Sequence, residues 1–103
     1  MKQNTYHIFF GNLASPLRIS IISALKERDM SVNDLSKALK EEQSKLSHAL
    51  SNLKKCNIVH ARKEGKERIY SLNRKTILPI LVLIDQHAKL NCDGNCKFCM
   101  MRG

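Results

Sequence analysis

The chain has 103 residues, and 18 Lys and Arg against nine Asp and Glu give it a net charge of +9. That length supports one small hydrophobic core and leaves no material for a second. No run is long and apolar enough to cross a bilayer as a helix, and the charge favours a polyanionic partner. DNA, RNA and anionic membrane surfaces all belong to that class. The opening MKQNTYHIFF lacks the apolar region and cleavage site of a secretory signal, so a cytoplasmic protein is expected, with no membrane partner. Its four cysteines would then be kept as thiols, suited to metal or redox chemistry rather than to a disulfide framework.

The positive charge is local. From Ser44 to Lys75 there are nine basic residues against two acidic ones, a net +7, and elsewhere the charges nearly balance. Taking the elements in order, Tyr6, Phe9, Phe10 and Leu13 give the opening segment an apolar side at helical spacing, with Gly11 and Asn12 weakening or ending it. Ser15-Pro16 supplies a capping side chain and then the ring that suits the first helical position, and Leu17, Ile21, Ala24 and Leu25 form the stripe of a second helix. Ser31 with Asp34 three residues on is an approximate capping box for a third, with Val32, Leu35 and Leu39 inward and an end near Lys40.

A very tight connection leads to the segment Glu42 to Lys55. Leu46, Ala49, Leu50 and Leu53 recur at three- and four-residue steps and form one buried stripe. The opposite face carries Gln43, Ser44, Lys45, Ser47, His48 and Ser51, polar donors and acceptors with almost no carboxylate. A face selected only for solubility mixes Glu and Lys, whereas this one suits base edges and phosphates in a DNA groove. Two short helices joined so tightly make a helix-turn-helix whose second helix lies in the major groove.

Asn57 can take the left-handed conformation that closes a helix, and Ile58 to Leu72 has strand character on both sides of Lys63-Glu64-Gly65-Lys66. This is a basic hairpin, its base anchored by Val59, Ile69 and Leu72. Arg62, Lys63, Lys66 and Arg68 near its tip are the candidates for phosphate or minor-groove contact, against the plainer reading of a solvated surface hairpin. From Asn73 a last helix is expected, with Pro79 in its first turn; the run Ile77 to Ile84 is apolar nearly all round. A helix of that kind at the edge of a small domain implies a symmetric dimer through the terminal helices.

The segments LASPLRISII, EQSKLSHALSNLKKCNIV and ARKEGKERIYSL resemble the ArsR/SmtB family of dimeric winged-helix repressors, over about residues 5 to 90. The resemblance implies a mainly α fold with a β-hairpin wing, residues 1–90; a cysteine-rich tail, residues 91–103, lies outside the family's common core. The resemblance also implies a repressor that leaves its double-stranded DNA operator on binding a metal ion or, in some members, after thiol oxidation. The recognition contacts carried over fall on Gln43, Ser44, Lys45, Ser47 and His48, and the wing contacts on Arg62, Lys63, Lys66 and Arg68. Two family ligand sets do not carry over. The thiolate run that begins the third helix in arsenic- and lead-responsive members reads Ser31-Val32-Asn33-Asp34-Leu35 here. Of the zinc site, Asp85-Gln86-His87 keeps one half, while the other half falls on Phe98 and Met101.

Cys92, Cys96 and Cys99 form a Cys-x-x-x-Cys-x-x-Cys array around the turn-forming Asp93-Gly94-Asn95. Three thiolates at this spacing can converge on one soft ion. Zinc would take a fourth ligand, from Cys56, His87, His7, water or a partner subunit, whereas arsenite or lead can be satisfied by three sulfurs, and cadmium is a further candidate ion. The alternatives are a structural zinc tail on a constitutive DNA-binding adaptor, a thiol redox switch, and an iron-sulfur cluster. Cys56 itself reads as a buried structural cysteine, Asp85 and His87 as polar positions near a helix end, and His7 and His60 carry no pattern. The spacing also resembles the cluster loop of radical S-adenosylmethionine enzymes, but only four residues follow Cys99 and no barrel can be built from them; an enzyme is not expected.

Overall fold

Among the described residues, five helices and three strands follow one another as α1 (Asn4–Leu13), α2 (Pro16–Glu27), β1 (Met30–Ser31), α3 (Val32–Leu39), α4 (Gln43–Lys55), β2 (Val59–Glu64), β3 (Glu67–Leu72) and α5 (Ile77–Asn91). The computed structural model describes residues 4–91. It forms two compact units, one ending at Asn73 and one beginning at Arg74.

In the first unit the core is built around α4. Leu46, Leu50 and Leu53 are fully buried and Ala49 nearly so, so the whole expected stripe faces inward. Ile21, Ile22 and Leu25 of α2, Met30 of β1, Leu35 of α3, and Ile58, Val59, Tyr70 and Leu72 from the hairpin region complete it. Burying a Leu, Ile or Val side chain contributes about 1.5–3 kcal/mol. This single cluster therefore outweighs the polar contacts in holding α4 in place.

The helix ends follow from short-range chemistry. Ser15 accepts a hydrogen bond from Arg18 N and Pro16 occupies the first helical position of α2. At α3 the capping box is complete: Ser31 Oγ accepts from Asp34 N at 3.0 Å, and Asp34 Oδ2 accepts from Ser31 N at 3.2 Å. The bond from the Ser31 backbone N–H, then one from the Ser31 side chain, hold the Asp34 carboxyl below its ordinary pKa. A carboxyl depressed in the folded state adds stability above its unfolded pKa, and that stability is lost as pH falls through the lower folded value. Ser31→Ala is therefore expected to cost about 1 kcal/mol at neutral pH. Urea unfolding should show a smaller difference between the two proteins in acid than at pH 7, because the Ser31 side chain's share of the Asp34 depression exists only in the parent and is lost once Asp34 is protonated.

The turn between α3 and α4 is latched by Ser36, whose hydroxyl donates to Glu41 O at 2.7 Å while its carbonyl accepts from Lys40 N and Glu41 N. Lys40 is left-handed there, φ 57°, a conformation that sequence reasoning placed only at Asn57 and Gly65. At its far end α4 closes on Asn57, φ 58°: Asn57 N donates to Lys54 O and Ile58 N to Leu53 O, both at 3.0 Å, with Ile58 and Leu53 both buried in the core. This is a Schellman closure with Asn in the place glycine usually takes.

The hairpin turns at Gly65, φ 62°, and pairs β2 with β3 from Val59↔Leu72 to Glu64↔Glu67. A third strand was not expected. β1 pairs with the other edge of β3, Met30↔Tyr70 and Ser31↔Ile69, giving the order β1-β3-β2. Two residues cannot display an alternation, so β1 leaves no periodic signal.

At α1 one of the two expected outcomes holds, and at α5 the boundary differs from expectation. The first helix runs through Gly11 and Asn12 to Leu13 and closes with Ala14 N on Gly11 O. Asn12 is tolerated because its amide donates back to Ile8 O, within the helix, while its other bonds lead to α2 and α4. In the second unit, α5 begins at Ile77 rather than Asn73, and Pro79 sits in its first turn as expected. Asn73 belongs to the first unit: its backbone donates to Ile58 O and its side chain to Asn57 O, which ties down the end of β3.

Candidate nucleic-acid interface

The six polar residues expected to face DNA, Gln43, Ser44, Lys45, Ser47, His48 and Ser51, are all exposed on α4, opposite the leucine stripe. The backbone period does this unaided: residues out of phase with Leu46, Leu50 and Leu53 have no route into the core. Two of the six are held by neighbours. Gln43 Nε2 donates to Asn33 Oδ1 at 3.1 Å, which links the start of α4 to α3 and orients the amide. Lys45 Nζ lies 4.0 Å from Glu41, an exposed i,i+4 pair of the kind that contributes little. Glu42 caps α4 by position but makes no side-chain bond to it, so the first-turn N–H groups lack a side-chain cap.

In the hairpin the register decides which cations share a face. Lys63 stands directly opposite Arg68, on the same side of the sheet as Val59↔Leu72 and Ala61↔Tyr70. Like charges opposite one another destabilise a strand pair unless an anion joins them. Among the described residues, neither Lys63, Lys66 nor Arg68 makes an ion pair. Arg62 differs from these three. It lies on the other face, opposite Ile69, and its guanidinium is engaged twice: Nη1 with Asp29 Oδ2 at 2.7 Å and Nε with Glu64 Oε2 at 2.6 Å. The Asp29 bond, then the Glu64 bond, raise its already high pKa.

The cysteine expectations fare differently. Cys56, expected to be a buried structural residue, is exposed. It is the C-cap of α4, already half out of the helix because Asn57 closes it, so its side chain leaves the leucine stripe. Its Sγ accepts from Asn12 Nδ2 at 3.0 Å, and Asn12 Oδ1 accepts from Arg18 Nη1 at 2.7 Å, so one asparagine joins α1, α2 and the end of α4. Asp85 and His87 are exposed on α5, and the His87 ring lies 3.3 Å from the Asn91 amide. Among the described residues no three of His, Cys, Asp and Glu gather as a metal site. Cys92, Cys96 and Cys99 lie outside the described residues.

Comparison with known proteins agrees with this geometry. Residues 15–61, from the cap of α2 into β2, match the model of the bacterial regulatory protein family arsR. An HTH-type transcriptional regulator of Mycobacterium tuberculosis, Rv0081, is 41% identical over 76 residues, 73% of this chain and 67% of that protein. The chain belongs to the ArsR family. The crystal structure of Rv0081 superposes with a TM-score of 0.74 at 37% identity, covering 82% of this chain and 87% of that one. A regulator from Methanocaldococcus jannaschii, MJ1325, is 36% identical over 75% of this chain and 88% of its own length. This ArsR-family chain is a DNA-binding transcriptional regulator with a winged helix-turn-helix fold, in a family of regulators rather than enzymes. Among the described residues no single helix is long and apolar enough to cross a membrane.

Proposed function

We propose that the protein is a homodimeric repressor that binds an imperfect palindrome in cytoplasmic DNA and releases it when a thiophilic metal or metalloid ion binds the tail, residues 91–103. In this reading α4 enters the major groove. Gln43, Ser44, Ser47, His48 and Ser51 read base edges there, and Lys45, Lys63, Lys66 and Arg68 engage phosphates. The observation that carries the reading is the division of α4 into a fully buried leucine face and an exposed face of six polar residues, followed in the chain by Lys63 and Arg68, which make no ion pair among the described residues. Recognition helices of such a dimer meet successive major grooves about 34 Å apart. The dimer is supported by apolar side chains exposed on the terminal helices: Tyr6, Ile8 and Phe10 on α1, and Val82, Leu83, Ile84 and Leu90 on α5.

Repression is supported by a Synechocystis relative, a transcriptional repressor SmtB homolog, 33% identical over 77% of this chain and 60% of that protein. For the inducer the donor set argues: three cysteine sulfurs within eight residues suit arsenite, lead, cadmium or zinc, and no ligand set among the described residues competes with them. Titrating these ions separately into the protein bound to its upstream duplex tests the reading. One ion is expected to lower affinity by about 5- to 150-fold, the usual range of allosteric coupling. The Cys92, Cys96, Cys99 triple serine variant should bind the duplex like the parent and ignore that ion. Release by metal from the triple variant would sink the tail as the sensor, and tight metal binding without release would leave a structural tail on a constitutive DNA-binding protein.

A further inference from the structure

We infer that Arg62 is a positioning residue of the wing and not one of its phosphate ligands: its guanidinium straps β2 to the segment that leads into the helix-turn-helix. This rests on the DNA-binding reading above and corrects one residue of the expected wing contacts. Across the sheet, Arg62 on β2 stands opposite Ile69 on β3, and Ile69 stands opposite Ser31 on β1. Asp29 immediately precedes β1. The arginine side chain therefore crosses over β3 to reach a carboxylate on the far side, a span of two strand spacings, about 10 Å.

The strap is held from two directions by the fork of one planar group. Nη1 meets Asp29 at 2.7 Å and Nε meets Glu64 at 2.6 Å. The Glu64 bond holds the guanidinium on β2's own strand, and the Asp29 bond carries it to the body of the domain. Beyond Asp29 the connection continues through short bonds. Ser31, two residues on, caps α3, and Asn33 of α3 accepts from Gln43 at the start of α4. The wing and the recognition helix thus form one linked assembly, and Arg62 is the join on the wing side. An arginine already shared by two carboxylates is poorly placed to take a phosphate as well. Lys63 and Arg68, on the opposite sheet face with no counter-charge among the described residues, have no such engagement.

Three substitutions separate this role from a phosphate contact. Asp29→Asn removes a negative charge from a DNA-binding protein, which electrostatics alone would turn into tighter binding. If Asp29 anchors the strap, affinity instead falls, by about tenfold, within the range found for residues that touch neither ligand. Arg62→Lys keeps the charge and loses the fork, so it is expected to fall about as far as Arg62→Ala. In all three the slope of log affinity against log salt should stay at the parent value, whereas Lys63→Ala, measured beside them, flattens it by about one unit. The melting temperature should move by less than about 4 °C, because an exposed ion-pair set contributes little to folding. An Asp29→Asn protein that binds DNA tighter than the parent overturns the inference. So does an Arg62→Ala protein whose salt slope flattens by about one unit while Arg62→Lys behaves like the parent. A duplex ignored by the parent protein would remove the DNA reading itself, and this role with it; the parent control distinguishes that failure from the other two.

Discussion

Alanine at both Lys63 and Arg68 is expected to flatten the salt dependence of operator binding by about two units and to weaken binding about 60-fold at 0.1 M salt. Each phosphate contact contributes about 0.9 to the slope of log affinity against log salt, so two lost contacts remove about 1.8 log units at 0.1 M. The same variant should be no less stable than the parent. Lys63 and Arg68 stand opposite each other in the strand register, and removing a like-charged pair relieves repulsion that no ion pair among the described residues offsets. Stability and affinity therefore move in different directions, the signature of a surface held ready for an anion. Filter binding or fluorescence anisotropy at four salt concentrations, beside a thermal melt, measures both. An unchanged slope would mean that the pair is a solvated hairpin tip and that the phosphates are met elsewhere.

Leu50→Ala should act through the other face of the same architecture. Leu50 is fully buried on α4, and truncating a leucine in such a place costs about 2–5 kcal/mol, transfer and cavity together. Domains of this size have only about 5–15 kcal/mol to lose, so the variant should unfold at much lower urea and show little operator binding near 37 °C. His48→Ala, two positions earlier and exposed, is the matching contrast. Its stability should stay within about 0.5 kcal/mol of the parent. If His48 reads a base, discrimination between operator and mismatched duplex should fall by about 1–3 kcal/mol. Urea titrations of the two variants, with competition binding, decide the matter. A destabilised His48→Ala, or a Leu50→Ala that binds with parental affinity, would contradict the division of α4 into a packing face and a reading face.

That division bears on how a small domain holds a specific geometry. The leucine stripe sets which way α4 faces, and the flanking segments set its ends. Ser36 latches the turn before it, and Asn57 and Asn73 close the chain after it. Asn12 adds a joint between α1, α2 and the Cys56 cap. These are single polar groups in short reach of backbone or neighbour, so each is worth about 0.5–1.5 kcal/mol, small beside the core but directional. The core supplies most of the stability and the polar joints supply the angles.

Read alone, the sequence determined whatever depends on neighbours a few residues away. The capping box of Ser31 and Asp34, the stripe Leu46, Ala49, Leu50 and Leu53, the left-handed Asn57, the turn at Gly65 and the proline in the first turn of α5 are local, because helix period, cap and turn chemistry act over three or four residues. Only the tertiary structure decided the features that join distant segments. The β1 strand depends on β3, about 40 residues later, as its template. Lys40 accepts a positive φ because Ser36 holds the turn from both sides. Cys56 is exposed because the helix closure at Asn57 carries it off the buried stripe. Arg62 looked like its neighbours Lys63, Lys66 and Arg68, and nothing within reach of it in sequence names Asp29 as its partner. A charge announces itself in the sequence, but strand register decides which face it takes and which opposite charge it meets.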